Sequence, residues 1–150
     1  MKSFADLLIA WHAKSGRHHL PWQQSKDPYS VWVSEIMLQQ TQVTTVIDYY
    51  NRFMKKFPTI KALANADEEE VMQLWSGLGY YRRARFLHEG AQMIVGEMEG
   101  NFPSEFDMMM KIPGIGRSTA GAIAAFSFNQ KKAILDGNVK RVLSRYFLIS

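Results

Sequence analysis

Residues 112–120 read Ile-Pro-Gly-Ile-Gly-Arg-Ser-Thr-Ala, a glycine-rich stretch that predicts a tight turn. A short helix is predicted before the turn, from about residue 104 to residue 111. The alanine-rich residues 119–126 predict a second short helix after it. The pattern therefore indicates two short helices joined by a hairpin.

A glycine-rich turn before a helix exposes backbone N–H groups that suit a phosphate. A P-loop would need Gly where this chain has Lys111, and Lys where it has Arg117. A dinucleotide-binding fingerprint would need a third Gly where Thr119 stands, and a preceding strand that the pattern lacks. Two interpretations remain. The stretch is either a simple turn between helices or a helix–hairpin–helix element whose amides contact the DNA backbone without reading its sequence.

The rest of the chain also shows helical periodicity. Apolar residues recur at spacings of three and four along residues 43–57, 84–98 and 139–147, and no stretch alternates as a strand would. Pro58 is expected to end the first of these helices. With 47% hydrophobic and 21% charged residues, the 150-residue chain has the composition of a folded domain. The predicted fold class is all-α.

Composition and charge exclude several kinds of site. The absence of Cys rules out a disulfide scaffold, a thiol nucleophile, a Cys-ligated zinc and an iron–sulfur cluster held by this chain. It fits a cytoplasmic location, and no metal site is expected because the four His residues lack ligand spacing. The longest uncharged stretch, residues 118–130, is shorter than the roughly 20 residues of a spanning helix, so no membrane partner is predicted. The net charge of +4 permits a polyanionic partner without requiring one.

Two carboxylates are candidates for chemistry. Glu35 lies in the otherwise apolar helical run 31–41, where burial would raise its pKa as a general acid requires. Asp136 directly precedes the last helical pattern, where it is an N-cap, an ionised group facing a developing cation, or both. Taken alone, a solvent-facing Glu and a capping Asp are the ordinary structural roles. A raised-pKa acid and an ionised partner together are the pair that cleaves glycosidic bonds.

Two clusters of basic residues accompany these segments. Basic side chains beside aromatic ones fit nucleic acid, although a solvated helix face accounts for each cluster equally well. The clusters are Lys131, Lys132, Lys140, Arg141 and Arg145 around Asp136, and Arg82, Arg83 and Arg85 after Gly79-Tyr80-Tyr81.

Five short motifs follow one another along the chain. They are residues 20–22 (Leu-Pro-Trp), 34–43 (Ser-Glu-Ile-Met-Leu-Gln-Gln-Thr-Gln-Val), 77–81 (Gly-Leu-Gly-Tyr-Tyr), 112–120 and 135–142 (Leu-Asp-Gly-Asn-Val-Lys-Arg-Val). In this order they resemble the adenine DNA glycosylases (MutY type) of the helix–hairpin–helix DNA glycosylase superfamily. The match runs from about Leu20 to Arg145 without a gap. Five motifs in order make the resemblance specific, whereas any one alone would be weak.

The resemblance implies a domain organisation. A six-helix subdomain would span about residues 27–136 and carry the hairpin at residues 112–119. Residues 1–26 and 137–150 would be remnants of a second helical subdomain that is incomplete in this chain. The family continues past the last residue here with a 4Fe–4S cluster held by four Cys and a domain that recognises 8-oxoguanine. The apolar residues 146–149 look like a cut end, so self-association through exposed apolar faces is expected.

The resemblance also implies an activity, the excision of adenine paired with 8-oxoguanine or guanine in double-stranded DNA. Glu35 matches the acid that protonates the flipped adenine, and Asp136 matches the carboxylate that stabilises the positively charged sugar. Gln40 and Tyr80 match residues that push into the base stack. Asn138 matches a residue that supports the catalytic pocket. The DNA-backbone clamp matches Pro113, Gly114, Ile115 and Gly116, and the neighbouring basic residues Arg117, Lys140 and Arg141 are expected to contact DNA.

Ser118 separates close relatives. Glycosylase/lyases of the endonuclease III type carry a nucleophilic Lys at this position, whose amine forms a Schiff base and cuts the strand. Ser118 cannot do so, which predicts a monofunctional enzyme in which Ser118 supports catalysis. The alternatives are an endonuclease III-type glycosylase/lyase and a non-catalytic DNA-binding fragment. One departure is Gln23, which stands where many members have Arg.

Overall fold

The computed structural model describes residues 1–149, and within that range it contains helices, turns and no strand. The prediction of an all-α fold is confirmed. A single turn of 3-10 helix at Pro21–Gln23 lies between the first two α-helices. The α-helices of the described residues are α1 (Phe4–Ser15), α2 (Pro28–Met37), α3 (Val43–Lys56), α4 (Ile60–Ala64), α5 (Glu68–Trp75), α6 (Arg82–Glu97), α7 (Phe106–Met109), α8 (Arg117–Phe128) and α9 (Gly137–Phe147).

Local sequence signals explain most of the helix boundaries. α3 ends at Lys56, two residues before Pro58, as predicted. α7 is shorter than the predicted helix at residues 104–111, because its regular turns begin only at Phe106. The sequence analysis did not identify α4, whose five residues are too few to show a period. Its start is fixed by Thr59, whose hydroxyl accepts a hydrogen bond from the Ala62 amide at 3.1 Å.

α2 forms the centre of the core. Eight of its ten residues are buried, and it packs against α8, α3 and α6. Trp32 is fully buried beside Gly90 of α6, where an added Cβ would lie 2.8 Å from the indole ring. Glycine at this position therefore allows α6 to approach α2 closely. Glu35 is one of the two α2 residues that are not fully buried, so the core holds its backbone while its side chain reaches a surface cavity.

α1 and α9 lie outside this core. The buried hydrophobic residues run from Tyr29 to Ala124, and neither of these helices contributes one. They contact each other through Phe4, whose ring centroid is 4.6 Å from that of Tyr146 and 5.6 Å from that of Phe147. Along residues 1–149 we find no helix with both the length and the apolar character needed to cross a bilayer.

Candidate functional site

The Glu35 side chain is the most strongly perturbed carboxylic acid among the described residues. Burial in the wall formed by α2 raises its pKa to about 7, and the charge of Asp136 acts in the same direction. Of the two interpretations of Glu35, this environment agrees with the buried general acid and not with a solvent-facing side chain. At neutral pH about half of the Glu35 side chains therefore carry a proton that they can donate.

Glu35 opens onto a large cavity between α2, α8 and the start of α9. The cavity has a volume of about 770 Å³. It brings together six of the residues predicted from the sequence, which come from three separate motifs. They are Glu35, Gln40, Ser118, Asp136, Asn138 and Arg141.

Asp136 caps α9. Its Oδ1 accepts a hydrogen bond from the Val139 amide at 2.8 Å, so the N-cap interpretation is confirmed. The amide-rich start of a helix stabilises a negative charge. Capping therefore agrees with an ionised carboxylate that faces the cavity shared with Glu35.

Asn138 and Arg141 form one unit on the exposed first turns of α9. The Arg141 guanidinium donates a hydrogen bond to Asn138 Oδ1 at 2.8 Å. Both side chains line the large cavity beside Asp136. Lys140, between them in sequence, is exposed and does not line this cavity.

The hairpin at residues 112–119 leads directly into α8. Gly114 adopts a φ of +78°, and an added Cβ there would lie 2.8 Å from Phe86 Cβ, so the turn requires glycine. The Ile115 amide donates to the Ile112 carbonyl at 3.1 Å. Gly116 is the N-cap of α8 and has no side chain, so the first amides of the helix, at Arg117 and Ser118, receive no side-chain cap.

A second, smaller cavity of about 240 Å³ also reaches Glu35. Most of the residues that line this cavity were not predicted from the sequence. The one available signal was Phe126, an exposed aromatic residue in an otherwise alanine-rich helix. Gln23 is in this wall, and its side-chain amide accepts from the Leu20 amide at 2.9 Å and donates to the Arg17 carbonyl at 2.8 Å. The lining is Trp22, Gln23, Ser25, Lys26, Val31, Ser34, Glu35 and Phe126.

Gln40 and Tyr80 stand on exposed loops with left-handed backbone, at φ values of 56° and 49°. Gln40 reaches the large cavity, whereas Tyr80 lines neither of the two cavities. Arg83, counted with the basic surface residues in the sequence analysis, is instead 9% exposed and donates to backbone carbonyls. The surface-cluster interpretation is therefore wrong for Arg83.

Within the part of the chain that the structure describes, no set of side chains fits a metal ion or an iron–sulfur cluster. Residues 1–149 contain no group of three or more His, Cys, Asp or Glu side chains placed to hold a metal ion. The 4Fe–4S cluster that the resemblance implies needs thiolate ligands, and the chain has no Cys. No chemical step of this chain is assigned to such a cluster.

Comparison with known proteins gives similar sequences from bacteria and animals. The chain is 50% identical over 147 residues to the adenine DNA glycosylase of Buchnera aphidicola subsp. Baizongia pistaciae, which covers 98% of this chain and 42% of that protein. It is 50% identical over 152 residues to the adenine DNA glycosylase of Rattus norvegicus, covering 95% of this chain and 29% of that protein. The chain thus spans less than half the length of these curated relatives.

Solved structures agree on the fold. A thermostable thymine-DNA glycosylase superposes with a TM-score of 0.89 at 27% identity, covering 96% of this chain and 66% of that one. The resemblance predicted from the five motifs is confirmed. Residues 33–150 match the profile described as "HhH-GPD superfamily base excision DNA repair protein". The chain, with its hairpin before α8 and its buried acid on α2, belongs to the HhH-GPD superfamily of base excision DNA repair proteins.

Proposed function

We propose that this chain is part of a monofunctional DNA glycosylase that removes adenine paired with 8-oxoguanine or guanine in double-stranded DNA. The observation that carries the proposal is the Glu35 carboxyl, which lines both cavities. Burial raises the pKa of this carboxyl to about 7. The identity to adenine DNA glycosylases over nearly the whole chain supports adenine as the base.

Adenine leaves its sugar only after it has been taken out of the base stack. The smaller cavity, with the Trp22 and Phe126 rings and the Gln23 amide in its lining, suits a flat heteroaromatic ring. Glu35 donates its proton to a ring nitrogen of the flipped adenine. The glycosidic bond then breaks, and its electron pair leaves with the base.

Bond cleavage leaves positive charge on the sugar. Asp136 faces the shared cavity as a carboxylate held by the Val139 amide in the first turn of α9, and it stabilises this charge. Water adds to the sugar carbon and loses a proton to the Glu35 carboxylate, which restores the acid and gives an abasic site. Ser118, which lines the same cavity, has no amine to form a Schiff base, so the strand stays intact. Asn138 supports this side of the pocket.

DNA is held by groups on the same face. Within the hairpin from Pro113 to Gly116, the Gly114 and Gly116 amides donate no backbone hydrogen bond among the described residues, and they bind a phosphate at the start of α8, next to Arg117. Lys140 and Arg141 add positive charge beside the cavity. Gln40 and Tyr80 enter the base stack from their exposed loops.

The proposal also includes the division of the chain into subdomains, its self-association and its location. In this proposal the six-helix subdomain of the family corresponds to residues 27–136, where this structure has seven α-helices, α2 to α8. Residues 1–26 and 137–150 belong to a second helical subdomain. The exposed apolar side chains of α1 and α9 support self-association of the isolated chain. We place the protein in the cytoplasm, acting on the nucleoid.

The test is a single-turnover assay on duplex DNA with adenine opposite 8-oxoguanine, using this chain and its Glu35→Gln variant. Half of each reaction is treated with hot alkali, which cuts abasic sites. Alkali-dependent cleavage should fall by about 10²–10⁴-fold in Glu35→Gln, because the variant has no proton to give. Glu69→Gln, the same change on the exposed first turn of α5, is the matched control and should cleave normally.

Other outcomes identify the alternatives. Cleavage without alkali that survives in Glu35→Gln would indicate a glycosylase/lyase of the endonuclease III type. DNA binding without cleavage by the unsubstituted chain would indicate a non-catalytic DNA-binding fragment.

A further inference from the structure

Arg83 is buried among carbonyl oxygens rather than carboxylates. Its Nη1 donates at 2.9 Å to both the Ile36 and the Met37 carbonyls. These belong to the last two residues of α2, where carbonyls lack partners within the helix and the helix dipole is negative. The guanidinium therefore caps the helix that carries Glu35. Arg83 makes further contacts that capping α2 does not explain.

Those contacts reach two loops that are far apart in sequence. The Gln40 loop is residues 38–42, after α2, and the Tyr80 loop is residues 76–81, before α6. In the Gln40 loop, Arg83 donates through Nη1 to the Gln39 carbonyl, so that one of the two Nη1 N–H groups is shared between two carbonyls. Its Nη2 donates to Thr41 Oγ1 at 3.2 Å. In the Tyr80 loop, Nη2 donates to the Gly79 carbonyl at 3.2 Å.

The carbonyls that Arg83 binds are placed in the same way in each loop. Gln39 directly precedes Gln40, and Gly79 directly precedes Tyr80. Gln40 and Tyr80 are both exposed residues with left-handed backbone. Non-glycine residues hold that conformation only when the surrounding structure enforces it. Arg83 thus restrains the peptide just before each strained residue, and its guanidinium also lies 5.6 Å from the centre of the Tyr80 ring.

We propose that Arg83 is a positioning residue that joins the Gln40 loop and the Tyr80 loop into one rigid edge, so that Gln40 and Tyr80 are presented to DNA together. The inference rests on the proposed function for the DNA-contacting role of these two side chains. It assigns Arg83 no contact with DNA. A planar guanidinium offers five N–H donors in a fixed fork, whereas a lysine ammonium is a single point with three. The edge therefore requires Arg, and Lys at this position would separate the loops.

The link between the loops is tested first without DNA, by amide hydrogen exchange of the chain and its Arg83→Lys variant. Each loop supplies a hydrogen-bonded reporter: the Gln39 amide donates to the Ile36 carbonyl at 3.3 Å and the Leu78 amide to the Trp75 carbonyl at 3.0 Å. Both amides should exchange about tenfold faster in Arg83→Lys. Arg82→Lys, the same change at the exposed neighbouring residue, should leave both rates unchanged. Acceleration in one loop only, or in neither, overturns the proposal.

A second variant decides the matter if Arg83→Lys does not fold. Thr41→Val removes one acceptor of Arg83 from the Gln40 loop and leaves the Tyr80 loop chemically untouched. The proposal expects the Leu78 amide, in the other loop, to exchange about threefold faster. Thr45→Val, an exposed change on α3, is its control. An unchanged Leu78 rate in Thr41→Val overturns the link.

The consequence for DNA is measured with 2-aminopurine in place of the adenine opposite 8-oxoguanine, because its fluorescence rises when it leaves the stack. Arg83→Lys should lose most of this rise while its affinity for the duplex changes less than about threefold, since phosphate contacts are untouched. The effects of Gln40→Ala and Tyr80→Ala on the fluorescence rise should be non-additive when Arg83 is present. In the Arg83→Lys background the same two effects should be additive. Additivity in both backgrounds overturns the proposal. If the unsubstituted chain gives no fluorescence rise, the proposed function fails, and the exchange rates still decide the link.

Discussion

The two carboxylates of the large cavity lie in different kinds of surroundings. Glu35 belongs to α2, the most buried helix, and desolvation raises its pKa to about 7. Asp136 begins α9, a helix with no buried residue, and a backbone amide binds its carboxylate at 2.8 Å. Burial favours the neutral acid and a helix start favours the anion. The comparison shows how the fold gives two similar side chains opposite environments, a buried wall for Glu35 and a helix start for Asp136.

The largest expected effect is on the free energy of unfolding, and it compares the core around α2 with the exposed helix α1. Trp32→Ala should lower the free energy of unfolding by about 3–5 kcal/mol, because it leaves a cavity beside Gly90. Trp11→Ala, the same substitution on α1 where the ring is 59% exposed, should cost no more than about 0.5 kcal/mol. Urea denaturation of both variants measures the difference. Similar losses would contradict the assignment of the core to residues 29–124.

A smaller effect is the pH dependence of folding stability that the raised pKa of Glu35 causes. The pKa of Glu35 is about 7 in the folded chain and near 4.5 when exposed, so the folded state binds an extra proton between these values. Stability should therefore fall as pH rises from 4.5 through 7. Glu35→Gln stays neutral and escapes this loss, so its stability relative to the unsubstituted chain should increase by on the order of 2 kcal/mol between pH 4 and pH 8.

Chemical denaturation at several pH values checks this expectation. Glu69→Gln, on the exposed first turn of α5, should follow the unsubstituted chain across the whole range. Parallel stability profiles for the chain and Glu35→Gln would show that the Glu35 carboxyl is not buried as described.

The smallest effect distinguishes capping from charge at Asp136. Asp136→Ala should weaken α9 by about 1 kcal/mol, whereas Asp136→Asn should cost only a few tenths, because Asn caps nearly as well. Exchange of the Val139 amide measures the cap. Both variants remove the negative charge, so both should lower the pKa of Glu35, which a carboxyl titration by NMR detects. Equal weakening of α9 by Asn and Ala would contradict the capping geometry.

Sequence reasoning located the features that depend on neighbours along the chain. A lone carboxyl in an apolar helical run made Glu35 a candidate beside the solvent-facing alternative, and an Asp before a helical pattern identified Asp136 as a cap. The glycine-rich residues 112–116 identified the hairpin for the same reason, since turn geometry is local.

The features that sequence reasoning missed depend on partners distant in sequence. Arg83 follows two aromatic residues and looks like a surface base, but its acceptors include the Ile36 carbonyl, 47 residues earlier. No periodic pattern reports such a contact. The small cavity was missed because its walls come from the 3-10 turn, α2 and the end of α8. The assignment of residues 27–136 and their flanks to two subdomains stays a prediction.

The left-handed backbone at Gln40 and Tyr80 has a consequence for protein engineering. Glycine adopts this conformation without steric cost, so replacing either residue by Gly relieves about 1 kcal/mol of strain. A screen that rewards heat resistance alone would therefore enrich glycine at the two positions where the proposed function needs long side chains. Variants from such a screen should be assayed for base excision before they are ranked by melting temperature. The most thermostable variants are expected to have the lowest excision activity.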